Sequence, residues 1–435
     1  MNCNLTIALL GFARHLMWSR SDGHGGTTTS YYDDEITWLL AAVGLFLLTW
    51  FLVNRYLRAR RLRRPSPPID RKSLKRVNMI KRELSSRYLR RGFSKRIHAI
   101  GIGLLENTNQ YCIQIFINDA NEELWSGAGQ APLPTSYRGV TLRLIEMPIA
   151  VLLSASTAPV AAENYLSGIR ERREIITGGI SGANTNLTGQ SGTIGYFCTR
   201  RSRLRRPKQM LLLSNSHVFA DLEKGTVDEQ DLIMQPSPGE PGSNRAIATL
   251  IDYSKLRFDD SDKPNTVDAA IAKLWQAQPH DAVIPFVGAL KGFVRKVDVK
   301  VGEPARKFGR TTGYSEGHVF SICLDIWIKY DRTGRSAFFQ DQILVAPDSP
   351  NFVRFVDRGD SGSLLVDAKQ HALGLVFAGM SDATESVKPE PGDRLAATPD
   401  AGADKPKRIE GYGVANPISE VLDRLKIDLV VADQV

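Results

Sequence analysis

The sequence predicts a mainly β chain of many short strands, preceded by a small α+β domain and, before that, one apolar helix. Three observations carry this expectation. Between residues 175 and 430, short apolar runs alternate with turn residues. Residues 97–105, 111–117 and 140–149 form three strand-like runs behind a helical pattern at 69–91. Residues 36–53 carry no charge over eighteen residues. At the helical rise of about 1.5 Å per residue they cover roughly 27 Å, close to the hydrocarbon thickness of a bilayer.

Residues 1–35 read as an irregular N-terminal segment. Residues 36–53 read as a transmembrane helix, with Trp38 and Trp50 near its ends, where interfacial aromatics belong. A cleaved signal peptide would have basic residues before a shorter core. Here Asp33, Asp34 and Glu35 precede the run, so a single uncleaved anchor is expected. Six arginines from Arg55 to Arg64 follow it. The positive-inside rule then keeps that flank in the cytoplasm and the N-terminus outside.

Residues 54–91 form a basic juxtamembrane spacer and helix. Pro65–Pro68 stiffen the spacer, and Leu74, Val77, Ile80, Leu84, Tyr88 and Leu89 recur at helical spacing. Two readings stand side by side: the helix lies on anionic lipid, or it packs on the next domain. Between Arg55 and Arg96, 17 Lys or Arg face only Asp70 and Glu83, so the formal charge of +9 is local and the remainder is net acidic. With sparse aromatic interleaving, nucleic acid is not an expected partner. Residues 92–165 form the small α+β domain, with a docking, regulatory or purely structural role.

The four cysteines, Cys3, Cys112, Cys198 and Cys323, form no CxxC pair, and no His/Cys cluster has metal-ligand spacing. No metal or organic cofactor is expected. Scarce cysteine fits a reducing compartment.

Three segments carry chemistry. His217 closes the apolar run 211–213 through Ser214-Asn215-Ser216, Asp268 opens the strand-like run 269–274, and Ser361 sits in Gly359-Asp360-Ser361-Gly362-Ser363. A serine hydroxyl needs a base to take its proton, imidazole is the natural base, and a buried carboxylate orients it. The oxyanion of acyl transfer needs two N–H donors, here those of Gly359 and Ser361. Each motif alone is ordinary: a turn, a core histidine, a strand-edge carboxylate. Together they form a His217, Asp268, Ser361 triad.

These segments resemble the chymotrypsin-fold (trypsin-like) serine peptidases over residues 175–430. The resemblance implies two six-stranded antiparallel β-barrels and hydrolysis of peptide bonds through an acyl-enzyme. Gly309-Arg310-Thr311-Thr312-Gly313, Gly317-His318-Val319, Gly374-Leu375-Val376-Phe377-Ala378-Gly379 and Ala415-Asn416-Pro417-Ile418 resemble, more narrowly, bacterial relatives of the plant narrow-leaf-type serine proteases. The bacterial likeness, with the apolar run, its arginine flank and the scarce cysteines, gives the expectation of a single-pass protein of a bacterial inner membrane with its peptidase domain in the cytoplasm. Phe355, six before the nucleophile, is expected at the floor of the specificity pocket, with Gly374, Leu375 and Val376 as the strand that pairs with substrate.

The motif departs from secreted digestive enzymes at Ser363, and Phe355 removes the presumption of cleavage after Lys or Arg. Arg173-Glu174-Ile175-Ile176-Thr177-Gly178-Gly179 is similar to a zymogen cleavage site, although a glycine-rich lead-in to the first barrel explains the same residues. Residues 381–408, polar and with four prolines, read as a mobile loop beside the substrate strand. Expected partners are a protein or peptide substrate and the membrane, with anionic lipid along 55–96; self-association is compatible with the sequence. The rival reading is a catalytically latent or non-catalytic module that binds peptide by strand addition.

Overall fold

The computed structural model describes Gly44 and Thr49, and residues 70–90, 97–106, 108–117, 134–152, 168–187, 190–202, 209–240, 243–330, 334–348, 354–380 and 411–432. The chain divides into units of residues 1–61 and 62–435, and every element named here lies in the second. Among the described residues no helix is long and apolar enough to cross a membrane. The anchor expected at 36–53 lies outside them apart from Gly44 and Thr49, as do residues 1–35 and the loop 381–408.

Helix α1 (Arg71–Tyr88) starts at Asp70, whose carboxylate caps the N–H groups of Lys72 and Ser73. It buries Val77, Ile80 and Leu84 in one core with strands β1 (Ile97–Leu104) and β2 (Tyr111–Ile117). This face is therefore docked on protein. Lys81 is buried with it and pairs with Asp325 at 2.8 Å. Lys72, Lys75, Arg76, Met79 and Arg82 line the outward side. Strands β3 (Ser136–Tyr137) and β4 (Val140–Glu146) extend the layer, with β2 and β4 parallel. Strand β5 (Val151–Leu152) follows.

His98, in β1, is fully buried, with Nε2 2.8 Å from the Met147 carbonyl oxygen, to which it donates as the neutral ring. Burial pushes its pKa from 6.5 down to about 4. The unfolded chain takes up a proton in this interval that the folded chain refuses. The stability held by the neutral ring is thus complete above pH 6.5 and lost as pH falls towards 4, by about 3 kcal/mol in all. Urea unfolding at pH 7 and pH 5 should show this slope, and His98→Gln should flatten it.

The first barrel comprises β6 (Ala183–Asn184), β7 (Tyr196–Arg200), β8 (Met210–Ser214), the one-turn helix α2 (Ser216–Phe219), β9 (Leu232–Gln235), β10 (Arg245–Tyr253) and β11 (Ala270–Leu274). Its ladder runs β7-β8-β11-β10-β9-β6. It closes through Gly179 N–H to Ile194 O (2.7 Å), Ile194 N–H to Ile180 O (2.9 Å) and Gly182 N–H to Gly192 O (3.1 Å).

The second barrel follows β12 (Gly292–Phe293) and comprises β13 (Pro304–Gly309), β14 (Gly313–Tyr330), β15 (Arg335–Pro347), β16 (Leu364–Asp367), β17 (His371–Gly379) and β18 (Gly413–Pro417). These six close into an antiparallel ring, β13-β14-β15-β18-β17-β16 and back to β13. Helix α3 (Ile418–Leu425) leads to β19 (Ile427–Leu429), which adds a seventh strand to the first sheet beside β7.

The small α+β layer is not a separate sheet. β14 is long enough to close the second barrel at one end and to pair β1 further along, at Ala99↔Ile326 and Ile102↔Ile322. Helix α1 packs on this layer, and the layer continues the second-barrel sheet.

Candidate active site

The register of β8 against β11 explains how His217 meets Asp268. Ser214 opposes Ala270. His217 lies three residues beyond one and Asp268 two before the other, so the antiparallel ladder sets them side by side. His217 Nδ1 is 2.6 Å from Asp268 Oδ2. Asp268 Oδ1 accepts the N–H groups of Ser216 (2.7 Å) and His217 (3.3 Å), and Tyr330 OH donates to Oδ2 at 3.3 Å. Burial, and next the Asp268 carboxylate, raise the Tyr330 pKa well above 10, so the phenol stays a donor. Asn416 Oδ1 receives the Asp268 N–H at 3.0 Å. Every oxygen of this carboxylate is thus aimed, which holds the imidazole in one orientation.

Ser361 lies in the turn between β15 and β16, and the turn is tied to both barrels. Thr193, from the first barrel, donates its N–H to Ser361 O (2.8 Å) and its hydroxyl to Gly359 O (2.9 Å). Gly362 N–H donates to Val376 O at 2.9 Å. Gly359 and Gly362 have φ of +101° and +97°, a region that costs side-chain-bearing residues 1–2 kcal/mol or so. A Cβ at Gly362 would also collide with Thr193 O and Ser214 Oγ. Neither the Gly359 nor the Ser361 N–H donates to an acceptor among the described residues, leaving both for an incoming oxyanion.

The serine hydroxyl is hydrogen-bonded to Phe377 O at 2.9 Å and not to His217. Ser361 is fully buried and His217 is 4% exposed. The structure thus joins His217 to Asp268, with Ser361 held in its turn and its hydroxyl directed to β17.

Asp360, beside Ser361, is buried and paired with buried Lys307 at 3.1 Å. Its carboxylate also accepts Thr311 N–H (2.8 Å), Thr312 N–H (3.2 Å), Thr312 OH (2.7 Å) and Asp357 N–H (3.0 Å). Burial pushes the Lys307 pKa down, an effect Asp360 opposes. A newly cut N-terminus would find this carboxylate taken. Ile176 N–H is bonded to Pro279 O at 3.0 Å and Ile176 is fully buried. These contacts favour the lead-in reading of residues 173–179. The turn 309–313 frames the same loop: Arg310 pairs with buried Glu240, and Thr311 OH donates to Arg358 O at 2.5 Å.

The expected substrate-binding residues require correction. Phe355 is fully buried in the second-barrel core, beneath Ser315, which donates its hydroxyl to Phe355 O at 2.8 Å. Gly374, Leu375 and Val376 have no open edge. Gly374 and Leu375 pair with Leu365 and Leu364 of β16, and all three pair with β18. Val376 meets Gly362 and Ser363 on its other side. The stretch that runs past the serine begins later, at Phe377. Sequence reasoning also missed Lys307, Tyr330, Asn416 and Thr193; only Asn416 stood in a motif already singled out.

No protein-family profile and no curated protein matches the chain. Solved structures similar to it include a glutamic acid-specific serine protease with a histidine triad in substrate binding, at 13% identity and TM-score 0.36 over 59% of this chain and 100% of the other. Thermobifida fusca protease A is 14% identical, with TM-score 0.36 over 59% and 100%. A Cellulomonas bogoriensis chymotrypsin is 14% identical, with TM-score 0.33 over 59% and 99%.

Proposed function

We propose that this chain is a membrane-anchored serine endopeptidase working on the cytoplasmic side of a bacterial inner membrane. The observation that carries the chemistry is the 2.6 Å contact of His217 Nδ1 with Asp268, at the seam where the Ser361 turn is held with two unclaimed N–H groups. Ser361 Oγ attacks the scissile carbonyl and His217 Nε2 takes its proton. The Gly359 and Ser361 N–H groups receive the oxyanion. The proton passes to the leaving amine, an ester forms at Ser361, and water hydrolyses it by the same steps reversed. The likeness to narrow-leaf-type relatives is one of motifs and enters here in that sense.

The anchor rests on residues 36–53 and their arginine flank. The basic outward side of α1 suits the same placement next to anionic lipid.

One experiment tests both parts. Membranes from cells expressing the full chain are washed with carbonate and treated with a membrane-impermeant fluorophosphonate. Labelling at Ser361 is expected in inverted vesicles and not in right-side-out ones. A full chain recovered in the soluble fraction, or labelling from the outside, would sink the topology. No label on folded protein in either preparation would sink the peptidase.

A further inference from the structure

The edge of β17 that runs on from Phe377 is not empty. Strand β5 lies on it antiparallel, with Leu152 opposite Ala378 and Val151 opposite Gly379. The opposite edge of Ala378 and Gly379 is taken by β18. On its far side β5 meets β14, at Lys329↔Val151, and Lys329 N–H donates to Ala150 O at 3.0 Å. The polarity matters. As β5 runs from Val151 to Leu152, its partner runs from Gly379 back to Ala378, so β5 heads towards Phe377. Phe377 O is the atom that holds the Ser361 hydroxyl, at 2.9 Å.

A peptide presented to Ser361 as an added strand would use an edge of β17, because main-chain pairing aligns an extended ligand whatever its sequence. β5 occupies that edge with Ala150 fully buried and Val151 and Leu152 nearly so. Leu152 shares an apolar cluster with Phe377, Ala378 and Met380. The full burial of Ser361 accords with an occupied groove. The occupant is also held from behind: Met147 N–H donates to Ile117 O (2.9 Å), and Met147 O takes the His98 bond. A strand tethered this closely competes at an effective concentration of order millimolar. It is only two residues long, so few bonds must break for it to leave.

We propose that β5 is an in-cis occupant of the peptide groove, that the small α+β layer exists to hold it there, and that substrates in trans are extended peptides with aliphatic residues where Val151 and Leu152 sit. This rests on the peptidase reading for its meaning, but not for its test. Activity in trans then requires β5 to swing off Ala378 and Gly379. An apparent affinity is reduced by the fraction of molecules whose groove is open.

The test uses the full chain carrying Ser361→Ala and a fluorescein-labelled peptide of residues 147–152, Met-Pro-Ile-Ala-Val-Leu, followed by anisotropy. Adding Val151→Asp and Leu152→Asp places one carboxylate in the apolar cluster of Leu152 and another at buried Val151, and expels the strand. The peptide should then bind about tenfold more tightly or better, as expected if the open fraction rises from about a tenth to near one. In the chain with Ser361 intact, the same pair of substitutions should speed fluorophosphonate labelling by a similar factor. Leu152→Ser, a milder change, should move both in the same direction.

Equal affinities with and without the substitutions would overturn the proposal. So would loss of the fold in both variants, which would mark β5 as an ordinary barrel strand. If the emptied groove binds peptide and Ser361 never labels, the groove assignment stands and the peptidase reading falls.

Discussion

Ser361→Ala should lower kcat for peptide hydrolysis by roughly a millionfold and leave melting behaviour unchanged, because the residue adds one hydroxyl to a turn that its neighbours hold. That hydroxyl makes a single bond, to Phe377 O, while the turn is fixed by Thr193, Gly362 and Asp360. His217→Ala should cost about as much, since nucleophile and base act as a unit. Asp268→Asn is more informative. The Asp268 Oδ1 acceptor for the Ser216 and His217 N–H groups can be kept by an amide oxygen, so the backbone stays in place. The amide nitrogen then faces His217 Nδ1 and forces the wrong tautomer, which should cost about 10⁴-fold in kcat. Steady-state kinetics with thermal melting as the control decides this. Folded Ser361→Ala or His217→Ala protein that keeps its rate, or an Asp268→Asn enzyme of near-normal rate, would remove the triad from the mechanism.

Lys307→Met should destabilise the fold by about 3–5 kcal/mol, because it strands the Asp360 carboxylate in the interior without its cation. Both side chains of the pair are fully buried. Asp360 also gathers the N–H groups of Thr311, Thr312 and Asp357, so its displacement would unfasten the turn that presents Gly359 and Ser361. Activity should therefore fall further than the folded fraction does. Urea denaturation measures the first effect and fluorophosphonate labelling of the remaining folded protein the second. Adding Asp360→Asn to Lys307→Met should recover part of the lost stability, as expected for two directly coupled residues. Equal stability of Lys307→Met and the native chain would show that Asp360 needs no cation.

Much of the candidate site was legible because each proposed triad member sits in a local signal. His217 follows an apolar strand and a small-residue turn, Asp268 opens another strand, and Ser361 lies in a Gly-Asp-Ser-Gly turn. The strand pattern of both barrels was readable for the same reason: alternation and turn residues are local. What failed was the assignment of edges. Gly374, Leu375 and Val376 looked like the substrate strand from their place after the serine, yet both their edges are taken. Phe355 looked like a pocket floor by its distance from Ser361, yet it packs in the core. Lys307 carried no signal, since a lysine 53 residues before Asp360 looks like any surface cation.

The sequence by itself determined the candidate reacting groups, the apolar run at 36–53 and the mainly β class, because these rest on side-chain chemistry and on spacing within one segment. The tertiary structure alone decided which edge of β17 lies beside Ser361, that Val151 and Leu152 cover it, and that Lys307 and Tyr330 face the two carboxylates. Those outcomes depend on register between strands far apart in the chain. A shift of one residue reverses the face of every side chain, and nothing within either strand states which register its partner will take.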